Sequence, residues 1–227
     1  MSIQSVVFDL DGTLLDTIAD IGAAMNTALN EARLPVHPTE AYRGMVGWGL
    51  RKLAESAVPA DYAEDGDMDT IYARLLASYK AKPVVFTRAY DGVIELVQTL
   101  RTNGYTLGIL SNKSHELVVQ IVEQCLPSEC FIEVRGVGPD TPHKPDPTGV
   151  REVLRILEAK PERSLFVGDS AVDIKTALAV GAVSVGVSWG FRPVAELEDA
   201  GAAFIIDKPH EIHNIIASID DAYERRR

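Results

Sequence analysis

Ser5-Val-Val-Phe-Asp-Leu-Asp-Gly-Thr-Leu-Leu-Asp16 opens on a β-branched and aromatic run, Val6 to Phe8, and breaks at Gly12-Thr13. A short apolar run closed by a tight turn reads as a buried strand rather than a helix. Asp9 and Asp11 come directly after the apolar part, two residues apart. Period-two geometry aims both the same way at the strand's C-terminal end, where open α/β sheets hold their ligands. Two anions this close repel each other unless a cation or a proton lies between them. Oxygen ligands at this density suit Mg²⁺, which uses one or two carboxylates together with substrate phosphate.

Outward from this strand the period changes. Ile18, Ile21, Met25, Leu29 and Ala32 predict an amphipathic helix over 17–32. Leu34-Pro-Val-His-Pro38 ends it, Thr39 is placed to N-cap the next helix, and Met68, Ile71, Tyr72, Leu75, Leu76 and Tyr79 mark another helical face. Nothing between 17 and 82 alternates like a strand, and the extended Val84-Val-Phe86 returns the chain. From Tyr90 onward, strands near 105–110, 131–134, 165–167, 184–187 and 203–206 alternate with helices. That alternation implies an α/β fold, a Rossmann-like parallel sheet flanked by helices, with right-handed crossovers. The expected domains are an α/β core over 1–15 and 88–227 and an all-helical insert over 16–87. Residues 223–227 read as a frayed tail.

The composition narrows the function class. With 227 residues, 46% hydrophobic and 24% charged, the chain reads as an ordinary soluble globular protein with a sizeable core. A formal net charge of -11 argues against nucleic acid or an anionic membrane as the main partner. An anionic substrate therefore needs local positive charge, from a metal or from a few placed cations. Cys125 and Cys130 have no histidine cluster beside them, so they read as two ordinary thiols of a cytoplasmic protein. No basic leader precedes the first strand and no apolar run approaches a membrane span.

Three further stretches carry chemistry. Leu110-Ser-Asn-Lys-Ser114 ends a strand with a hydroxyl and backbone N–H groups placed like a helix N-terminus, an anion site. In His143-Lys-Pro-Asp-Pro147 two prolines stiffen the backbone around Lys144, whose compact ammonium suits a phosphate oxygen; His143 reads as a surface or supporting residue. Val167-Gly-Asp-Ser-Ala-Val-Asp173 places Asp169 and Asp173 on one face at a helix start, with Gly168 permitting close backbone approach.

In this order the four stretches resemble the four motifs of the haloacid dehalogenase superfamily, whose members mostly hydrolyse phosphate esters through an aspartyl-phosphate. The resemblance implies that Asp9 is the nucleophile and Asp11 the general acid/base, with Thr13 bracing their loop by hydrogen bonding. It further implies that Ser111 and Asn112, the latter chiefly through its main-chain amide, bind phosphate, and that Lys144 neutralises phosphate and Asp9. Mg²⁺ would be held by Asp9, the Asp11 carbonyl and Asp169, with Gly168 and Asp173 in support. An acid at position 11 favours phosphate esters over the dehalogenases and phosphonatases, which generally lack it.

The insert resembles the helical cap of the superfamily's first cap class. Its candidate specificity loop is Arg43-Gly-Met-Val-Gly-Trp-Gly-Leu-Arg51, where three glycines allow close approach to a small ligand; it also reads as a helix–helix turn with Trp48 packed inside. The Val46-Gly47-Trp48-Gly49 spacing and Trp189-Gly-Phe-Arg192 resemble the phosphoglycolate phosphatases, which implies a small phosphorylated metabolite, with Arg43 or Arg51 pairing a substrate carboxylate. A phosphosugar mutase and a nucleotide or pyrophosphate phosphatase would share the four motifs. A monomer and a homodimer are equally compatible with the sequence.

Overall fold

The computed structural model describes residues 2–138 and 141–225. Strand β1 (Ser5–Phe8) is buried at every position, and its side chains alternate between two cores. Val6 and Phe8 enter the larger cluster, whereas Val7 joins the smaller one with Leu110, Val150, Val153 and Phe166. Such two-sided burial is what a central parallel strand requires. β1 pairs in parallel with β4 (Thr106–Ser114) and β6 (Ser164–Gly168). With β5 (Glu133–Val137), β7 (Val183–Val187) and β8 (Phe204–Ile206) the sheet order is β5-β4-β1-β6-β7-β8. The chain therefore winds outward from β1 first on one side and then on the other, and the order reverses beside β1.

Helices α5 (Val93–Thr102), α6 (His115–Cys125), α7 (Pro147–Ile156), α8 (Ala171–Val180), α9 (Val194–Asp199) and α10 (Glu211–Glu224) connect and follow these strands. Between β1 and α5 lie α1 (Ile18–Glu31), α2 (Leu50–Ala57), α3 (Ala60–Asp65) and α4 (Met68–Ala81). Both connectors of this helical segment pass through a two-stranded ribbon, β2 (Leu15–Asp16) against β3 (Arg88–Ala89), with Leu15 opposite Ala89.

Local expectations need correction at several places. The extended Val84-Val-Phe86 leads back without packing into the core: Val85 and Phe86 are exposed, and the segment is held by the Asp20 carboxylate. Thr39 does not N-cap a helix: Pro38 takes that position and Thr39 begins a 3-10 turn running to Gly44. Tyr223 and Glu224, expected in a frayed tail, belong to α10; Arg226 and Arg227 lie outside the described residues, as do Pro139 and Asp140 of the proline-rich loop. No helix among the described residues is long and apolar enough to cross a membrane.

Candidate active site

The carboxyl ends of β1, β4 and β6 meet at the point where the strand order reverses. Asp9 follows β1, its N–H donating to Val167 O at 2.9 Å, and Asp169 follows β6, so hydrogen-bonded neighbours deliver the two acids side by side. Lys144 Nζ lies 2.7 Å from both Asp9 Oδ1 and Asp173 Oδ1. Its approach to Asp9 is a charge contact without hydrogen-bond alignment, which leaves Asp9 Oδ1 without a well-directed donor.

Asp173 is fully engaged. Its Oδ2 accepts from Ser170 N at 3.1 Å and from Ser170 Oγ at 2.7 Å, in the capping box that starts α8. A Cβ at position 168 would lie 2.2 Å from the Cβ of Asp173, so only glycine lets that side chain reach Lys144. Asp169 Oδ2 accepts from Phe191 N at 2.7 Å.

Burial pushes Asp9 up to about 7 against the lowering by Lys144, and the charges of Asp173 and Asp11 add to the rise. Asp169 is raised well above the usual carboxylate range by burial, then by Asp173 and Asp9. Burial opposes the Lys144 charge, yet Asp173 and Asp9 together hold its pKa above the ordinary lysine range. Oxygens of Asp9, Asp169 and Asp173 lie within 4.8 Å of one another. Three buried acids against one lysine leave net negative charge, and the incompletely paired Asp9 oxygen suits a divalent cation bound by oxygen.

Asp11 sends its carboxylate elsewhere. Its Oδ1 accepts from Lys113 Nζ at 2.6 Å and Thr17 Oγ1 at 2.7 Å, while Oδ2 has no protein donor among the described residues. Lys113 is buried and also donates to Tyr79 OH of α4 at 2.7 Å. Burial pushes Tyr79 up to about 12, so it stays a neutral hydroxyl here.

Comparison with known proteins shows the family. The sequence model of one family, haloacid dehalogenase-like hydrolase, matches residues 6–187. This chain belongs to the haloacid dehalogenase-like hydrolases. A phosphoglycolate phosphatase of Pseudomonas syringae pv. syringae is 31% identical over 208 residues, covering 89% of this chain and 75% of that protein. One from Aquifex aeolicus is 30% identical, covering 91% and 93%. Among solved structures, a predicted phosphoglycolate phosphatase from Haemophilus somnus 129pt superimposes with a TM-score of 0.86 at 25% identity, covering 95% and 98%.

In this haloacid dehalogenase-like hydrolase the helical segment roofs a small cavity of about 40 Å³ over the acids. Val46, Gly47, Gly49, Leu50 and Leu53 line it from above, and Asp9, Asp11, Ser111, Asn112 and Asp169 from below. Ser111 does not sit at a helix N-terminus, because α6 starts only at His115. Instead β4 loses its register with β5 between Leu110 and Ser114, which takes the backbone of this stretch out of the regular ladder. The Asn112 side chain is committed to protein. Nδ2 donates to Gly47 O at 2.9 Å and to Lys144 O at 3.1 Å, and Oδ1 accepts from Lys144 N at 2.7 Å. Its main-chain amide is what remains for a ligand.

Thr13 does not brace its loop through its hydroxyl, which is buried without a partner among the described residues; its carbonyl does so, accepting from Trp189 Nε1 at 3.0 Å. The two arginines expected at a substrate also need correction. Arg51 is on the surface, paired with Asp69 at 2.6 Å, and Arg43 donates to Glu40 and stacks over Phe191, so neither lines the cavity. Trp48 is 47% exposed, neither packed inside nor part of the lining. His143 is exposed, yet its Nε2 lies 2.7 Å from where a Cβ on Gly49 would be. Sequence reasoning assigned no role to Lys113 or Arg192, and both line the cavity. A wider cleft of about 890 Å³, bordered by Tyr90, Trp189 and His210, lies beside the β2–β3 ribbon and takes from the four motif stretches only Asp16, the last residue of the first.

Proposed function

We propose that this chain is a Mg²⁺-dependent phosphatase that hydrolyses a small phosphate monoester through an aspartyl-phosphate on Asp9, with 2-phosphoglycolate as the preferred substrate. The observation that carries the reading is the division of labour between two neighbouring acids. Asp9 is held by the Lys144 charge, and Asp11 is turned aside by Lys113 and Thr17 with one oxygen left open.

Asp9 attacks phosphorus while the bond to the ester oxygen breaks, and a protonated Asp11 gives its proton to that leaving oxygen. Water then attacks phosphorus, Asp11 takes the water proton, and the Asp9–phosphorus bond breaks, which returns both carboxylates to their starting state. Lys144, Ser111 and the Asn112 main-chain amide bind phosphoryl oxygens and stabilise charge in the transition state. Mg²⁺, held by Asp9, Asp169 and the Asp11 carbonyl, would supply charge neutralisation between the nucleophile and the phosphoryl group. Asp173 positions Lys144, and Gly168 makes room for it. The segment over 16–87 acts as a cap that excludes water from the reacting centre.

Three features support a small leaving group. The space between roof and acids is narrow, with room for only a few water-sized groups. Two glycines, Gly47 and Gly49, stand in its roof beside Val46, and the relatives named above carry the name phosphoglycolate phosphatase. A nucleotide leaving group would require the roof to stay open.

The test is phosphate release with Mg²⁺ from 2-phosphoglycolate, hexose phosphates, nucleoside monophosphates and pyrophosphate, run beside Asp9→Asn. Preference for 2-phosphoglycolate, abolished in the variant, is the expected result. Preference for another ester would discard the substrate assignment, and exchange of phosphate between sugar positions without release would indicate a mutase.

A further inference from the structure

Two cations line the cavity, and their situations differ. Lys113 is neutralised by the Asp11 carboxylate at 2.6 Å. Among the described residues Arg192 donates only to neutral carbonyls of the roof loop, from Nη1 to Gly44 O at 2.9 Å and from Nη2 to Val46 O at 2.8 Å. The nearest carboxylate, Glu196, lies 4.0 Å from Nε and is partly exposed. A guanidinium carries five N–H donors, so its terminal nitrogens keep two without a partner among the described residues.

The backbone fixes this side chain in place. Phe191 N is tied to Asp169 at 2.7 Å, and Pro193 follows with the restricted φ of proline before α9 begins. Nη2 lies 3.9 Å from where a Cβ on the cavity-lining Gly47 would sit. The result is a preorganised positive charge, only loosely paired with Glu196 at 4.0 Å, that lines the cavity opposite an Asp9 already paired with Lys144.

We propose that Arg192 is a specificity-determining residue that binds the second anionic group of the substrate, selecting phosphate esters whose leaving group carries a carboxylate. The assignment rests on the phosphatase reading above and replaces Arg43 and Arg51 in the role the sequence suggested for them. A planar guanidinium matches a carboxylate through paired N–H···O bonds. Because Arg192 belongs to the α/β core and its carbonyl partners belong to the roof loop, one side chain both reads the leaving group and holds the roof down.

The test compares 2-phosphoglycolate with ethyl phosphate, which keeps the two-carbon ester but has a methyl in place of the carboxylate. Wild type, Arg192→Gln and Arg192→Lys are assayed with Mg²⁺ after melting curves establish that each is folded. In Arg192→Gln both esters lose kcat/KM as the roof loosens, and 2-phosphoglycolate is expected to lose about 30-fold more, chiefly in KM. Arg192→Lys, which keeps the charge, restores part of that excess. Equal losses for the two esters, or a wild-type enzyme indifferent between them, would overturn the assignment while leaving the phosphatase intact. No phosphate release from either ester by wild type would overturn the phosphatase reading and the assignment with it.

Discussion

Lys113 shows how much a single residue carries here. It is the only lysine that reaches Asp11 among the described contacts, and it joins the acid to Tyr79 of the helical segment. Burial opposes its charge, yet Asp11 and Tyr79 together hold its pKa above the ordinary lysine range. Lys113→Met leaves Asp11 in a largely dry site without its counter-charge, a loss of about 3–5 kcal/mol for a buried pair. Adding Asp11→Asn removes the stranded charge, so denaturant unfolding of the two single variants and the double variant should give a coupling of at least about 1 kcal/mol. Additive losses would contradict the pairing. The acids of the four motifs were legible from sequence because each follows a strand or opens a helix, and local pattern carries that signal. Lys113 and Arg192 were not, because their roles are made by contacts 102 residues away to Asp11 and 146 residues away to Val46. A lysine after Ser-Asn and an arginine before proline look like surface charges until the sheet is assembled.

At the level of elements, the joints between the helical segment and the sheet are built from backbone groups. Asp20 of α1 is 3% exposed, and its Oδ2 accepts from Val85 N, Phe86 N, Thr87 N and Thr87 Oγ1 at 2.7 to 3.0 Å. The clasp satisfies the amides of this extended apolar run with a carboxylate, so the run needs no ladder. Asp20→Ala should cost roughly 2–4 kcal/mol in urea denaturation and should open residues 82–88 to limited proteolysis. A cost below about 0.5 kcal/mol, as for an ordinary surface change, would refute the clasp.

The opposite joint depends on Gly49, at φ +86, where a Cβ would meet His143 Nε2 at 2.7 Å and Asn112 O at 3.2 Å. Gly49→Ala is therefore expected to raise KM, and His143→Ala in that background to recover only part of the loss, since the φ penalty and the Asn112 carbonyl remain. Complete recovery would mean that crowding by His143 alone was at fault. Helices with clear apolar periodicity were readable to within a residue or two, as α1 shows. The starts of α6 and of the 39–44 turn were not, because a polar residue after a strand signals an N-cap and a continued extended segment equally well.

For the whole molecule, the alternation of strands and helices implies a parallel sheet, and the strand order found in it brings Asp9, Ser111 and Asp169 to one edge. That convergence concentrates acid in a dry site, and its consequence is a dependence on cation and pH. Asp9 is raised by burial from an ordinary carboxylate value to about 7, so the folded state binds its proton more tightly than the unfolded chain. Metal-free protein accordingly loses stability as the pH rises from about 4 to 7, while cation affinity grows over the same range because the cation displaces that proton. Saturating Mg²⁺ at about 100 times Kd contributes about 2.7 kcal/mol, a Tm rise on the order of 5–10 °C at pH 8. Melting curves with Mg²⁺ and with a chelator should show a much smaller rise at pH 5. An equal rise at both pH values would contradict the burial-driven shift.

The central claim is that Asp9 itself carries the phosphoryl group. Acid quenching of the enzyme during turnover of 2-phosphoglycolate with Mg²⁺, followed by borohydride reduction and peptide mass spectrometry, reads this directly. Conversion of Asp9 alone to homoserine is expected, and none in enzyme quenched without substrate. Steady phosphate release with Asp9 never modified, together with an active Asp9→Asn variant, would contradict it.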